Sequence, residues 1–284
     1  MGNIRPLSHV SGIHFCTQGP PDIAVSDAQR ISVLTLIITF LSGANLWSLL
    51  AFWPYESTQL FGPDPSRVAL EVLPFNLGIT IGMVLVNFCV SKFRGANREL
   101  LTLSSAMMTA GIGALSTVTQ NTPRLGQGLS FLGGLGTGGI IQPAVTMLTI
   151  ISPDEIIATI TALTISVRLV GASIGYAVYF NTLQKTLATT MPANVAAAAL
   201  QAGLPAGQIA PFLGAVLGGN TTALTGYALT VINAAQDAVR ESYVEGFRLV
   251  YLVSISFGVC AVVACLFLGD IKKYMVDRVA VDIH

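Results

Sequence analysis

An arginine in the middle of an apolar segment is the residue best placed for chemistry in this sequence. Arg168 lies about midway along Ile156–Leu183. A guanidinium costs roughly 2.5–3.5 kcal/mol at the centre of a membrane-inserted helix, so it needs a compensating partner. At helical spacing Arg168 shares a face with Gly171, Gly175 and Tyr179. This pattern favours a cation that lines a polar pathway, where it binds substrate or senses a proton-carrying group. A packing arginine that donates to backbone carbonyls is the alternative.

Amides and hydroxyls follow single faces of three other apolar segments. Asn45 continues a stripe of Thr35, Thr39 and Ser42, Gln142 continues one of Gln127, Gly134 and Gly138, and Asn76 and Asn87 share a third segment. Each amide alone could bridge two helices for about 1 kcal/mol. Together they predict a wet cavity, and the candidate pathway residues are Arg168, Gln142, Asn45, Asn76 and Tyr179.

Catalytic chemistry is not indicated. The three histidines, His9, His14 and His284, lie near the chain ends, and no nucleophile elbow or phosphate-binding loop is present. Gly134–Gly139 matches the dinucleotide fingerprint GxGxxG, but it lies within a nearly uncharged run and not after a strand. We therefore expect no enzyme activity, no cofactor and no metal site.

Three glycine pairs have the four-residue spacing that lets membrane helices approach closely. They are Gly78 and Gly82, Gly134 and Gly138, and Gly171 and Gly175. Since the pairs occur in three different apolar segments, the spacing predicts tight packing of several helices.

The elements that carry these residues are predicted to be transmembrane helices. Charged residues make up 10% and apolar residues 52% of the 284 residues, and a helix of about 20 apolar residues crosses a bilayer. Six segments reach that length: Ile31–Trp53, Val68–Ser91, Leu100–Thr119, Leu125–Ile151, Ile156–Leu183 and Phe247–Gly269. The predicted fold is an all-α membrane protein with six spans over residues 31–269, a tail at 1–30 and a tail at 270–284. Between the fifth and sixth spans, residues 184–246 form a long loop, which is expected to hold surface helices or a re-entrant piece.

Charge distribution predicts the orientation of the chain. Most of the positive charge in tails and short loops falls on the side that carries both chain ends, which predicts cytosolic termini. Residues 184–246 then face outward with the glycosylation sequon that begins at Asn220. Lys plus Arg equals Asp plus Glu at 14 each, so no basic excess suggests a nucleic-acid partner.

Several of these segments resemble the major facilitator superfamily. Lys92–Glu99 is similar to its basic Gly-Arg loop, and Gly133–Pro143 with Pro153-Asp154-Glu155 is similar to the tenth helix and following loop of fourteen-span drug:proton antiporters. Arg168–Tyr176 resembles the next helix of that group. Phe52-Trp53-Pro54, Leu73-Pro74-Phe75 and Asn97–Thr102 are most similar to fungal exporters of the trichothecene efflux pump type.

This resemblance implies one six-helix half, the C-terminal one, of a two-half fold that works by alternating access. It implies a plasma-membrane exporter of small hydrophobic metabolites, toxins or drugs, coupled to protons, with Arg94, Gly95 and Arg98 as a cytosolic latch. Its partners would be the lipid bilayer, the substrate, the proton, and an N-terminal half or a second copy. An oligomeric six-span channel or half-transporter and a nonfunctional truncated fragment are the alternatives.

Overall fold

The computed structural model describes residues 21–93, 96–120, 122–219, 224 and 226–269, and the side chains of all of these except 21–27 and 154. Over those residues the chain is helical, with no β-strand. The α-helices are α1 (Pro21–Trp47), α2 (Trp53–Phe61), α3 (Pro65–Lys92), α4 (Asn97–Ala114), α5 (Pro123–Ile151), α6 (Ile157–Gln201), α7 (Ile209–Leu217) and α8 (Leu229–Leu266). A π-helical segment, Ser48–Phe52, joins α1 to α2.

Among the residues that the structure describes, six helical stretches are long and apolar enough to cross a membrane. They are Ala28–Phe61, Pro65–Lys92, Asn97–Thr117, Pro123–Ile151, Ile157–Gln201 and Leu229–Leu266. Each contains most of one segment that the sequence predicted. The prediction of an all-α membrane protein with six spans is therefore confirmed.

Helix starts follow the local sequence. The Asp64 carboxylate accepts a hydrogen bond from the Ser66 backbone N–H at 3.3 Å, and Pro65 occupies the first turn of α3. Pro123 likewise occupies the first turn of α5, where no side chain caps the helix. Proline suits this position because its missing N–H would have no partner there.

Three helices extend well beyond the predicted spans. The first span continues past Trp53, through α2, to Phe61, α6 continues past Leu183 to Gln201, and α8 begins at Leu229 rather than near Phe247. Much of the predicted loop 184–246 is therefore a pair of helix extensions with α7 packed beside them. Val195, Phe212 and Val231 form a separate apolar cluster in this region, and Phe212 packs edge-on against Tyr227. This second core makes the extensions stable outside the main bundle, which local hydropathy did not reveal.

Packing between the helices divides them into well-covered and poorly covered ones. The main pairs are α3 with α5, α4 with α5, α6 with α8 and α1 with α6. In the most apolar stretch of each span, 61% of residues are buried in α5, but only 22% in α3 and 17% in α6. The helices α3 and α6 thus present large apolar surfaces, including Leu73, Val84, Phe88, Leu169 and Val170.

Candidate functional site

Arg168 lies where α1, α5 and α6 meet. The side chain is half-buried, and its Nη2 donates to the carbonyl oxygen of Ile141 in α5 at 2.9 Å. Its Nε is buried without a hydrogen-bond partner among the described residues. A Cβ at Gly43 of α1 would collide with the Arg168 carbonyl oxygen, so α1 passes directly against this turn of α6. The guanidinium is therefore held by one backbone carbonyl and keeps unused donor capacity.

Two of the predicted pathway amides lie on the surface of the helix bundle. Gln142 follows Ile141 in α5 and is exposed. Asn76 is exposed on α3, and its Nδ2 contacts the Val72 carbonyl oxygen of its own helix at 3.4 Å. Farther along the same helix pair, the Thr146 hydroxyl donates to the Asn87 side-chain oxygen at 3.3 Å. Because α3 and α6 both pack against α5, these polar groups and Arg168 belong to three adjoining helices.

The other two predicted pathway residues are in the interior of the bundle. Asn45 and Tyr179 are fully buried, and they are hydrogen-bonded to each other. In the amide orientation that satisfies every neighbour, Asn45 Nδ2 donates to the Tyr179 hydroxyl and the Ser254 carbonyl oxygen, each at 3.1 Å. Its Oδ1 then accepts from the Gly258 N–H at 3.2 Å. The pair joins α1, α6 and α8, and in this conformation neither side chain reaches the surface near Gln142.

The threonines and serine of the predicted α1 stripe are buried as well. The Thr35 and Thr39 hydroxyls donate to backbone carbonyls one turn earlier, each at 2.8 Å, and the Ser42 hydroxyl donates to the Thr39 carbonyl at 3.0 Å. These hydroxyls are satisfied within their own helix. The stripe therefore packs against other helices here and does not border an open cavity.

The glycine pairs of α3 and α5 face each other. A Cβ at Gly78 or Gly82 would collide with the carbonyl oxygens of Phe131 and Leu135 in α5. Reciprocally, a Cβ at Gly134 or Gly138 would collide with the carbonyl oxygens of Phe75 and Ile79 in α3. Neither backbone could come this close with any other residue type at these positions.

The third glycine pair lies at a different crossing, between α6 and α1. A Cβ at Gly171 would collide with the Phe40 carbonyl oxygen, and one at Gly175 would come within 2.7 Å of the Ala44 Cα. Gly171 is one turn from Arg168, so the same close approach brings the guanidinium beside α1 and α5. The GxGxxG sequence, Gly134–Gly139, lies inside helix α5.

The structure also contains two buried carboxyl groups that are not among the predicted pathway residues. Glu56 of α2 is 1% exposed and accepts a hydrogen bond of 2.5 Å from the Tyr251 hydroxyl of α8. Glu71 of α3 is 5% exposed, and its Oε2 has no partner among the described residues. Glu56 was missed because the first predicted span ended at Trp53. The signal that could have found it is the helical spacing of Trp53 and Glu56, which continues the buried face of that span.

Two predicted features fall partly or wholly outside the described residues. Arg94 and Gly95 of the cytosolic loop motif and the sequon residue Asn220 are not among them, whereas Arg98 is exposed on the first turn of α4. Beside Arg98, Asn97 Nδ2 donates to the Gly269 carbonyl oxygen at 3.1 Å, which ties the start of α4 to the end of α8. Within the described part of the chain, no three metal-ligating side chains lie together.

Comparison with known proteins gives a consistent picture. The MFS-type efflux transporter ffsH of Aspergillus flavipes is 24% identical over 245 residues, which cover 84% of this chain and 39% of that protein. The trichothecene efflux pump TRI12 of Trichoderma arundinaceum is 24% identical over 259 residues, which cover 88% of this chain and 43% of that protein. The chain thus spans about two fifths of the length of these curated relatives. Because residues 16–284 match the family described as the fungal trichothecene efflux pump (TRI12), the chain belongs to that family.

Proposed function

We propose that this chain is the C-terminal half of a membrane exporter that carries small hydrophobic metabolites, toxins or drugs outward by alternating access in exchange for protons. Membership of an efflux pump family supports transport, and no enzymatic step is part of the proposal. The relatives are more than twice as long as the matched region, which supports a second six-span half. A two-half carrier binds substrate between its halves, near the middle of the membrane.

The sparse coverage of α3 and α6 is the observation that carries this proposal. Less than a quarter of the most apolar stretch of either helix is buried by the rest of the chain. Polar groups lie beside this apolar surface, namely the exposed amides of Asn76 and Gln142 and the half-buried Arg168. A purely lipid-facing surface would gain nothing from a guanidinium and two amides. A surface that closes on a partner half and encloses a substrate path uses both the apolar and the polar groups.

Each part of that surface would have a distinct task. The apolar side chains of α3 and α6 would contact the partner half or a hydrophobic substrate. The guanidinium of Arg168, with donors to spare, would hold a polar group of the substrate or of the partner half. The close glycine crossings of α3 with α5 and α1 with α6 would keep the half rigid while it moves against its partner.

The proposed orientation has both chain ends in the cytosol and the α6–α8 extensions outside the plasma membrane. It predicts that the chain gains a glycan at Asn220 when it is produced in a glycosylating host, because the sequon lies in the segment between α7 and α8. Electrophoresis before and after glycosidase treatment is the measurement, and Asn220→Gln should abolish the shift. Unchanged migration combined with protease cleavage of this segment from the cytosolic side would contradict the orientation.

The proposal also predicts that the chain alone does not carry out coupled transport as a monomer. With its partner surface bare, the monomer would expose Arg168 and the amides to hydrocarbon, so it should self-associate or capture another half. Proteoliposomes with an imposed pH gradient and a fluorescent hydrophobic substrate measure flux, and mass photometry reports the oligomeric state. Adding an N-terminal half from a relative should restore flux.

Two results would revise this view. Robust coupled transport by a confirmed monomer would refute the half-transporter. Transport by a homodimer alone would replace the missing half with a second copy of this chain.

A further inference from the structure

Glu56 has the most deeply buried carboxyl group in the described part of the chain. It is 1% exposed, and its partner Tyr251 is fully buried. The hydrogen bond between them, 2.5 Å long, joins α2 of the first span to α8 of the last one. Neither residue belongs to the proposed partner surface of α3, α5 and α6, which carries Asn76, Gln142 and Arg168.

The surroundings of Glu56 do not support a negative charge. A buried carboxylate is stable when a cation or several hydrogen-bond donors replace the water that it has lost. The side-chain donor to Glu56 in the described part of the chain is one neutral hydroxyl, that of Tyr251. Within the described residues, the one ion pair is between Arg240 and Asp237, so no cationic side chain is paired with Glu56.

Among the described residues, the charged and titratable groups on the neighbouring elements offer Glu56 no paired cation. Besides the π-helical segment, α2 packs mainly against α3 and α8. Its Trp53 also lies against Gly126 of α5, and the one charged residue of α5, Arg124, is exposed. On α3, the Arg67 guanidinium lies over the Phe61 ring at 5.7 Å. The Glu71 carboxyl group is buried with its Oε2 unpartnered among the described residues, and it offers Glu56 no positive charge. On α8, the Tyr243 hydroxyl lies 3.4 Å from that of Tyr55. The remaining such groups at this level of α8, Glu245 and Arg248, are exposed.

Two further features of the region favour a second arrangement of α2. The π-helical segment Ser48–Phe52 separates it from α1, and such segments weaken the regular hydrogen-bond ladder and occur frequently at functional sites. Next to Glu56, the Ser57 hydroxyl is fully buried and has no hydrogen-bond partner among the described residues. A buried polar group without a hydrogen-bond partner costs roughly 1–3 kcal/mol. A second arrangement of α2 that gave the Ser57 hydroxyl a partner would remove this cost.

We infer that Glu56 is a proton-binding site that is occupied when α2 packs against Tyr251 of α8 and emptied when these helix ends separate. In the packed state the Glu56 carboxylic acid carries the proton and its carbonyl oxygen accepts from Tyr251. When α2 moves away and water enters, the acid releases one proton to water and leaves a solvated carboxylate. The inference rests on the proposed function in that it names the carrier for the proton that the exporter exchanges.

Infrared difference spectroscopy of the purified chain in lipid nanodiscs, recorded between acidic and alkaline buffers, tests this directly. We expect a protonated carboxyl C=O band at neutral pH that is absent in Glu56→Gln. The matched control Glu245→Gln, at an exposed glutamate of α8, should keep the band. Tyr251→Phe should shift the band to higher frequency, because the carbonyl loses a hydrogen-bond donor.

Glutamine has nearly the size of glutamate, and its amide oxygen can still accept from Tyr251, so Glu56→Gln should fold. If it does not, the band shift in Tyr251→Phe still decides the matter. An unchanged band in either Glu56→Gln or Tyr251→Phe would overturn the inference. A Glu56 band in a chain that exports nothing even with a partner half would support the proton site while contradicting the proposed function.

Discussion

Replacing Gly138 with alanine should destabilise the helix bundle strongly. The new Cβ would collide with the carbonyl oxygen of Ile79, which belongs to the backbone of α3 and cannot rotate away. Overpacking of this kind costs about 1–3 kcal/mol in protein cores. Thermal unfolding in detergent, followed by cysteine accessibility or by loss of monodisperse protein, should show a clear drop in the midpoint.

Gly128→Ala is the matched control, since Gly128 lies in the same helix and a Cβ there would meet nothing within 4 Å. Alanine is favoured over glycine in helices by about 1 kcal/mol, so this variant should be neutral or slightly stabilised. Equal unfolding midpoints for Gly128→Ala and Gly138→Ala would contradict the close crossing of α3 and α5.

Replacing Arg168 with alanine in the complete transporter should lower export about ten- to hundredfold, which corresponds to the roughly 1.5–3 kcal/mol of a charge-assisted hydrogen bond. The residue donates to Ile141 through Nη2, and its buried Nε has no hydrogen-bond partner among the described residues, so the guanidinium has donor capacity that a rearranged site could direct to substrate or to the partner half. Arg168→Lys should rescue poorly, because an ammonium cannot reproduce the planar fork of donors. Efflux of a fluorescent substrate from intact cells, normalised to surface abundance, is the measurement.

Lys185→Ala is the control for charge removal, because Lys185 is an exposed cation on the same helix. It should leave export per molecule unchanged. Arg168→Ala could instead lower abundance while each remaining molecule exports normally. Arg168 would then be a packing residue whose role is to hold α6 against α5 through the Ile141 carbonyl.

The sequence by itself determined the membrane class, the number of spans and the small-residue faces, because hydropathy and helical spacing are local properties of the chain. It also singled out Arg168, since a charge within an apolar run is conspicuous without knowledge of its neighbours. The glycine pairs could be identified in the same way, but their partners could not. Only the fold shows that Gly78 and Gly82 pack against the part of α5 that carries Gly134 and Gly138, while Gly171 and Gly175 pack against α1.

The tertiary structure decided which polar side chains are buried and which are exposed on the surface. Asn45 and Asn76 are both amides on helical faces, yet Asn45 bridges three helices in the interior and Asn76 is on the surface. It also extended α6 and α8 through the predicted loop, because Val195, Phe212 and Val231 form a core from segments distant in sequence. Glu56 became visible only when α2 was placed against Tyr251, which follows it by 195 residues. Burial and hydrogen bonding depend on contacts between distant segments, and those contacts exist only once the helices have packed.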